Sequence, residues 1–373
     1  MNKLIFRKFS GDIFKFFLLS SFCISFIIWI IQAVNLLDLV SDDGHSLKVY
    51  MYYASLNLPK IFSKTIIFVY FISIFYIINK YNNSNELIVF WNNGIKKIYF
   101  INFVLKFSIF FFLLQLFFSV FLAPNSQDLG RKLIKESKID FLPNLISEKK
   151  FVSVLNNLTI FVEEYKKNEE LKKIYINEKI EKNKSKIIVA ENGIFIKKDN
   201  NFILRLFNGG ITNIEADRTY KINFAETDYN LSNFSSKTVS HPKIQELNSF
   251  ILFECIAEYL SYKKFINKYC EVRSIKSVYE EVYKRLILPF YIFVISLIAA
   301  SLIIEPKSQY LNKFHKLNIF LAGVFVIILS QLSLNYILKS SIFIYLGIAL
   351  PILLIIIFYL ILSIKTKFKL GLL

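Results

Sequence analysis

Six runs of about twenty or more apolar residues fix the outline of this chain, because a run of that length is what a hydrocarbon core demands. They fall at about 14–37, 56–79, 98–122, 286–304, 317–338 and 341–364, and each is rich in Phe, Ile and Leu. Lipid offers the backbone no hydrogen-bond partners, so a run that crosses it must be helical. The expected fold class is an α-helical membrane protein with six transmembrane helices, three and three, around a polar insert. Composition agrees, since 54% of the 373 residues are hydrophobic and 40 are Phe, more than a soluble chain of this size can cover. Lys3, Arg7, Lys8 and Lys15 precede an apolar run longer than a signal-peptide core, so the first run reads as a retained helix.

The formal net charge of +18 invites a nucleic-acid reading, but its distribution argues against one. Residues 123–283 hold 26 basic and 22 acidic residues, which leaves 20 basic and 6 acidic beside the apolar runs. Such an excess sets topology rather than reading phosphates. With six spans, the N-terminus, Lys80, Lys96, Lys97, Lys307, Lys313, Lys316, Lys365, Lys367 and Lys369 all gather on one side. Both termini are therefore expected in the cytoplasm and residues 123–283 outside it.

The insert has another texture. Phe151–Val162, Lys186–Val189, Gly193–Lys197, Phe202–Leu206 and Tyr220–Phe224 are short, β-branched or aromatic segments. Glu191-Asn192-Gly193, Asp199-Asn200-Asn201 and Asn208-Gly209-Gly210 read as the turns between them. The pattern predicts an all-β sandwich or jelly roll, followed over about 244–283 by a partly helical return to the membrane at Arg285.

Catalytic and metal-binding patterns are missing. The chain has no Gly-x-x-x-x-Gly-Lys-[Ser/Thr], no Gly-x-Ser-x-Gly and no His-Glu-x-x-His. His45, His241 and His315 are scattered and read as loop residues, so no catalytic or metal site is expected. Cys23 reads as packing within a span. Cys255 and Cys270, fifteen positions apart, do not by spacing alone require a bond.

The loop between the second and third runs, Asn79 to Lys97, is the most informative stretch. Ser84 is placed to cap a short helix begun by Asn85 and Glu86, with an apolar ridge of Leu87, Val89, Phe90 and Trp91 and a stop at Gly94. Such a helix either lies among headgroups or plugs into the groove of a soluble partner. Two further places are candidates for a lipid cavity. Gln32, Asn35 and Asp38 share one face at the end of the first run, and Lys284 and Arg285 stand at the outer boundary of the fourth.

In layout and in several stretches the chain resembles the LptF/LptG family of lipopolysaccharide-export permeases, over nearly its whole length. Ser84-Asn85-Glu86-Leu87-Ile88-Val89 through Gly94 is similar to that family's "DSELVVMRAAG" coupling segment. Leu158-Thr159-Ile160-Phe161-Val162, Ile188 to Gly193 and Leu206 to Gly210 resemble its jelly-roll signature. Glu281 to Pro289 resembles the start of its fourth span, usually E-x-H-x-R-x-x-x-P. Trp29-Ile30-Ile31-Gln32 and Leu36-Leu37-Asp38-Leu39 are closer to the LptF branch. Trp91 replaces the usual Arg of the coupling segment, which favours apolar docking. Tyr283 replaces the usual His, and Asn35 stands where a basic residue is expected.

The resemblance implies three parts: transmembrane helices 1–3 over 1–122 with a coupling loop at 80–97, a periplasmic β-jelly-roll domain over 123–283, and helices 4–6 over 284–373. It implies a permease subunit, not itself an enzyme, in the bacterial inner membrane. Its partners would be an LptG-like subunit, a cytoplasmic LptB-like ATPase dimer that uses ATP and Mg, an LptC-like jelly-roll protein and lipopolysaccharide. No cofactor is expected on this chain. Ser84, Glu86, Leu87, Phe90, Trp91 and Gly94 would couple to the ATPase, and Gln32, Asn35, Lys284 and Arg285 would line the lipid cavity. The alternatives are a non-transporting membrane sensor, or a MacB/FtsX-type mechanotransmission protein, whose large domain follows the first span instead of the third.

Overall fold

The computed structural model describes residues 2–37, 46–139, 148–155, 158–165, 170–181, 184–198, 201–215, 218–230, 243–262, 270, 275–304, 309–337 and 341–368. They form two compact units. One comprises Met1–Gln32, Leu56–Asp128 and Lys243–Leu373, and the other Ala33–Ser55 and Leu129–Pro242.

The helical elements in chain order are α1 (Asn2–Asn35), α2 (Leu47–Leu56), α3 (Leu58–Asn83), α4 (Glu86–Asn92), α5 (Lys97–Phe117) and, after a π-helical turn at Phe118–Leu122, α6 (Ala123–Ile139). Beyond the sheet come α7 (Ser249–Tyr262), α8 (Ile275–Leu286), α9 (Tyr291–Ala300), α10 (Gln309–Ile337) and α11 (Ser341–Phe368). Among the described residues, six stretches are long and apolar enough to cross a membrane: Lys3–Asn35, Leu47–Asn83, Lys97–Ile134, Ile275–Ile303, Lys313–Leu334 and Tyr345–Thr366. The expectation of six spans holds. The third continues as helix well past residue 122, and residues from Lys243 onward pack with the helices instead of with the sheet.

Sequence explains which helix is central. α9 reads YIFVISLIAA, apolar all round, as a helix buried on every side must be. All of its residues except Phe293 are buried, and it packs against α3, α5, α10 and α11. Its one hydroxyl side chain other than tyrosine, Ser296, meets Tyr70 of α3 at 3.0 Å. Gln115 of α5 likewise donates to the Ser63 carbonyl at 2.6 Å. Polar groups inside a membrane bundle need such partners. α1 and α11 instead expose apolar side chains such as Phe22, Ile27, Leu353 and Ile357, the surface that lipid tails wet without cost. Cys23 is exposed on α1 and is not packed inside the bundle.

The second unit holds a six-stranded antiparallel sheet in the order β1-β2-β3-β4-β5-β6, with β1 at Phe151–Leu155, β2 at Leu158–Tyr165, β3 at Glu170–Glu181, β4 at Lys184–Lys198, β5 at Asn201–Glu215 and β6 at Arg218–Asn230. This is a meander, each strand beside its sequence neighbour. The crossed pairing of a two-sheet jelly roll does not occur among the described strands.

A crease crosses the meander. The ladders pair Val162 with Ile174 and Glu164 with Lys172, then Ala190 with Gly209 and Asn192 with Phe207, so Glu163, Lys173, Glu191 and Asn208 line up at one level without a ladder partner. Lys173 and Asn208 have φ of 49° there. The buried positions switch parity at that level: Ile174 and Ile176 on one side and Leu171 on the other, Ile188 and Ala190 against Phe195, Leu204 and Leu206 before Asn208. Because buried residues from both halves join one core, the creased sheet folds over its own apolar face. Tyr229 closes this core, donating to Glu178 at 2.9 Å; burial and then that carboxylate hold its phenol well above the usual range, so it stays a donor.

Glu191-Asn192-Gly193 and Asn208-Gly209-Gly210, read from sequence as turns, thus lie inside single long strands. Gly209 is required by close approach: a Cβ there would collide with the Val189 carbonyl oxygen and the Phe224 ring. Gly209→Ala is expected to destabilise the sheet by about 1–3 kcal/mol, the usual range for overpacking. Hydrogen exchange should show it as faster exchange confined to β4, β5 and β6.

The return segment packs around Leu247, Leu252, Cys255, Cys270 and Val278. Cys255 and Cys270 are bonded, their Cα atoms 5.9 Å apart, which sequence had left open.

Candidate functional site

α4 is seven residues long, too short to be stable alone, and the surrounding helices hold it. Ser84 does not cap it as the sequence suggested. Its N–H closes α3 onto the Lys80 carbonyl at 2.9 Å, and its hydroxyl lies 2.9 Å from both that oxygen and Glu86 Oε1. Asn85 takes the left-handed conformation, φ 59°, between the two helices, a role Asn fills more readily than most residues. At the other end Gly94, φ 74°, ends α4. Ile95 N–H reaches the Phe90 carbonyl at 3.1 Å and Gly94 N–H the Trp91 carbonyl at 3.0 Å, the two bonds of a Schellman stop. The expectation of a Gly94 stop holds.

The ridge divides into an inner and an outer face. Leu87 and Phe90 are buried, three residues apart and hence on one side of the helix. Phe90 packs edge-on to Phe6 of α1 at 5.5 Å, Phe9 of α1 at 6.0 Å and Phe100 of α5 at 5.6 Å, and meets Tyr81 of α3 at 6.5 Å. Trp91 is half-buried against Phe100, with the Lys97 ammonium 5.8 Å from its ring. Ile88 and Val89 are about half exposed (48% and 50%) on the outer face, beside exposed Asn85 and Asn92. The exposed aliphatic surface of this helix is therefore made by Ile88 and Val89, while Leu87 and Phe90 are buried against the bundle. Glu86 reaches back to Lys8 of α1 at 3.6 Å, an exposed pair worth at most about 1 kcal/mol.

Phe6 and Phe9, Tyr81, and Phe100 belong to the first three spans, so a displacement of Phe90 is felt by all three. Lys97 also donates to the Ile303 carbonyl at 3.2 Å, and Lys316 of α10 to Asn83 at 2.7 Å. The ends of the fourth and fifth spans are thereby tied to the same place. The sequence singled out α4 but missed Phe6 and Phe9. Their spacing of three on a helix was the available signal, and nothing local says what an aromatic pair there faces.

The lipid-cavity candidates fare differently. Gln32 is partly exposed and Asn35 exposed near the end of α1, and Asp38 lies outside the described residues. Lys284 is half-exposed and pairs with Glu280 one turn earlier. Arg285 departs from the expectation of a cation that lines a lipid cavity. It is 3% exposed and donates to Glu281 at 3.0 Å, the Leu247 carbonyl at 2.9 Å, Ser249 Oγ at 2.8 Å and the Gln245 carbonyl at 3.1 Å. Ser249 in turn donates to the Val120 carbonyl, and Ser119 to the Arg285 carbonyl, at 2.9 and 3.0 Å. These two acceptors and donors surround the π-helical turn, where the regular ladder is broken and polar groups need other partners. Arg285 is a clamp joining α8, the 245–249 segment and the end of the third span. About 28 Å of α5 separates it from the α4 cluster, taking the helical rise over nineteen residues.

Tyr283 stays in the bundle, its hydroxyl 3.0 Å from Ser333 of α10 and 3.2 Å from the Gly347 carbonyl of α11. His315 lies on α10 with a buried Nε2 and is not the loop residue expected, while His45 and His241 lie outside the described residues. Among the described residues no three His, Cys, Asp or Glu are grouped to hold a metal.

Two comparisons bear on this arrangement. The sequence model of a family described as "Lipopolysaccharide export system permease LptF/LptG" matches residues 9–365. "Uncharacterized protein RP871" of Rickettsia prowazekii (strain Madrid E) is 24% identical over 310 residues, covering 82% of this chain and 84% of that protein.

Proposed function

Because the chain belongs to the lipopolysaccharide export system permease LptF/LptG family, we propose that it is one permease subunit, of the LptF kind, in an ABC-type transporter. It pairs with an LptG-like subunit, and the two enclose a cavity that takes lipopolysaccharide from the outer leaflet of the inner membrane. A cytoplasmic LptB-like ATPase dimer, using ATP and Mg, drives closure. The creased sheet, in the role of the family's periplasmic jelly roll, receives the lipid and passes it to an LptC-like protein. The orientation with both termini and α4 in the cytoplasm is supported by the basic excess beside the spans.

The observation that carries this reading is the two-sided α4. Ile88 and Val89 face outward from a helix whose Phe90 is rooted in the first three spans, the form a coupling element needs: one face for a partner and one for the moving parts. The sheet supports the cargo half of the reading, because its apolar core is enclosed by one folded-over sheet, a shape that can open to accept acyl chains.

The test is to purify the chain with its native partners in mild detergent and identify them by mass spectrometry. An ABC-type ATPase with a second six-span subunit is expected. A folded chain with no ATPase attached would overturn the proposal and favour the sensor reading.

A further inference from the structure

Lys106 lies nine residues beyond the start of α5, roughly 14 Å along the helix axis, within the apolar stretch Lys97–Ile134. Its side chain is exposed, and it forms no ion pair among the described residues. A cation at such depth is tolerated when it reaches a polar partner, and it marks a binding path more often than chance.

Lys106 lines a groove of about 840 Å³. Phe6 of α1 and Phe103 of α5 give it apolar walls, and Ile95, which ends α4, also lines it. Asn102 adds a polar edge: its Oδ1 accepts from Tyr359 of α11 at 3.1 Å, which leaves the amide N–H groups to donate elsewhere. The volume is that of a small-ligand site. Its chemistry is one ammonium and one amide donor at the rim of an apolar trough, which suits a phosphate attached to an acyl chain.

We propose that this groove binds one anionic glycerophospholipid from the leaflet at the α4 end of the bundle. The Lys106 stem turns back toward the α4 end, as helical side chains do, so that its ammonium meets the phosphate beside Asn102, and the acyl chain runs from there past Phe103 and Leu105. Basic sites between helices on the cytoplasmic side recognise acidic headgroups on the same physical grounds. Ile95 N–H also holds the Phe90 carbonyl, so the bound lipid braces the stop of α4 and sets how freely that helix moves. This consequence rests on the coupling reading above, whereas the binding itself does not.

The experiment places the full chain, without ATPase, in phosphatidylcholine nanodiscs containing phosphatidylglycerol, and counts retained lipids by native mass spectrometry. Phosphatidylglycerol should be retained in preference, by about fivefold for one lysine near an acidic headgroup. The preference should vanish in Lys106→Gln and survive in Lys106→Arg. Equal retention by wild type and Lys106→Gln overturns the proposal. Should Lys106→Gln not fold, photoactivatable phosphatidylglycerol on the wild-type chain decides the matter: adducts on peptides spanning 95–106 support the site, and adducts elsewhere overturn it. Preferential retention of lipopolysaccharide, when it is added to the same nanodiscs, also overturns it. Because no ATPase is present, failure here leaves the transporter reading standing, and failure of partner capture leaves this site standing.

Discussion

Arg285→Ala should destabilise the helical unit by about 3–5 kcal/mol, the range measured when one partner of a buried ion pair is removed. The substitution strands Glu281, which is 16% exposed at its side chain, and leaves the Gln245 and Leu247 carbonyls and Ser249 without their donor. The measurement is the temperature at which the detergent-purified protein loses its monodisperse size-exclusion peak. A lysine in place of the arginine restores charge but not the planar fork, so Arg285→Lys should recover only part of the loss. Replacing the pair together, Glu281→Gln with Arg285→Met, should cost less than Arg285→Ala, because no charge is left buried alone. A headgroup ligand would behave otherwise: Arg285→Ala would leave the melting temperature unchanged and weaken lipid retention.

The second large effect concerns α4. Ile88→Asp with Val89→Asp should leave the protein folded, since both side chains are half exposed, and yet abolish capture of the ATPase. Loss of a central apolar contact at an interface costs about 2 kcal/mol or more, roughly thirtyfold in affinity for each residue that proves to be a hot spot. Leu87→Asp should do something else. It buries a carboxylate in the apolar cluster that also holds Phe9, Phe90 and Phe100 and should deplete folded protein from the membrane before any partner is tested. The two variants separate the outer face, which the proposal assigns to binding, from the inner face, which it assigns to transmission.

The six spans were legible because twenty apolar residues in lipid have one structural solution. α4 was legible as a helix, and its stop at Gly94 was written in one residue. Which face it buries was not, since Leu87 and Phe90 are told apart from Ile88 and Val89 only by aromatic rings far away in sequence. The same non-locality hid the role of Arg285, whose carbonyl acceptors lie 38 and 40 positions upstream. The sheet misled in an instructive way. Asn and Gly at 191–193 and 208–210 mark departures from extended backbone, and a crease inside a strand needs such residues as much as a turn does. Local chemistry announces the departure, while the ladder partners decide whether the chain reverses there.

The central claim is that ATP-driven motion at α4 delivers lipopolysaccharide to the sheet. A photo-crosslinking amino acid at Phe224, which packs on the sheet's core, tests it most directly in vesicles carrying the assembled complex and lipopolysaccharide. Adducts with lipopolysaccharide should appear on adding ATP, and stay absent with Ile88→Asp/Val89→Asp and with the probe moved to the exposed Lys221. Adducts that form equally without ATP, or none with the complex intact and hydrolysing, would contradict the account.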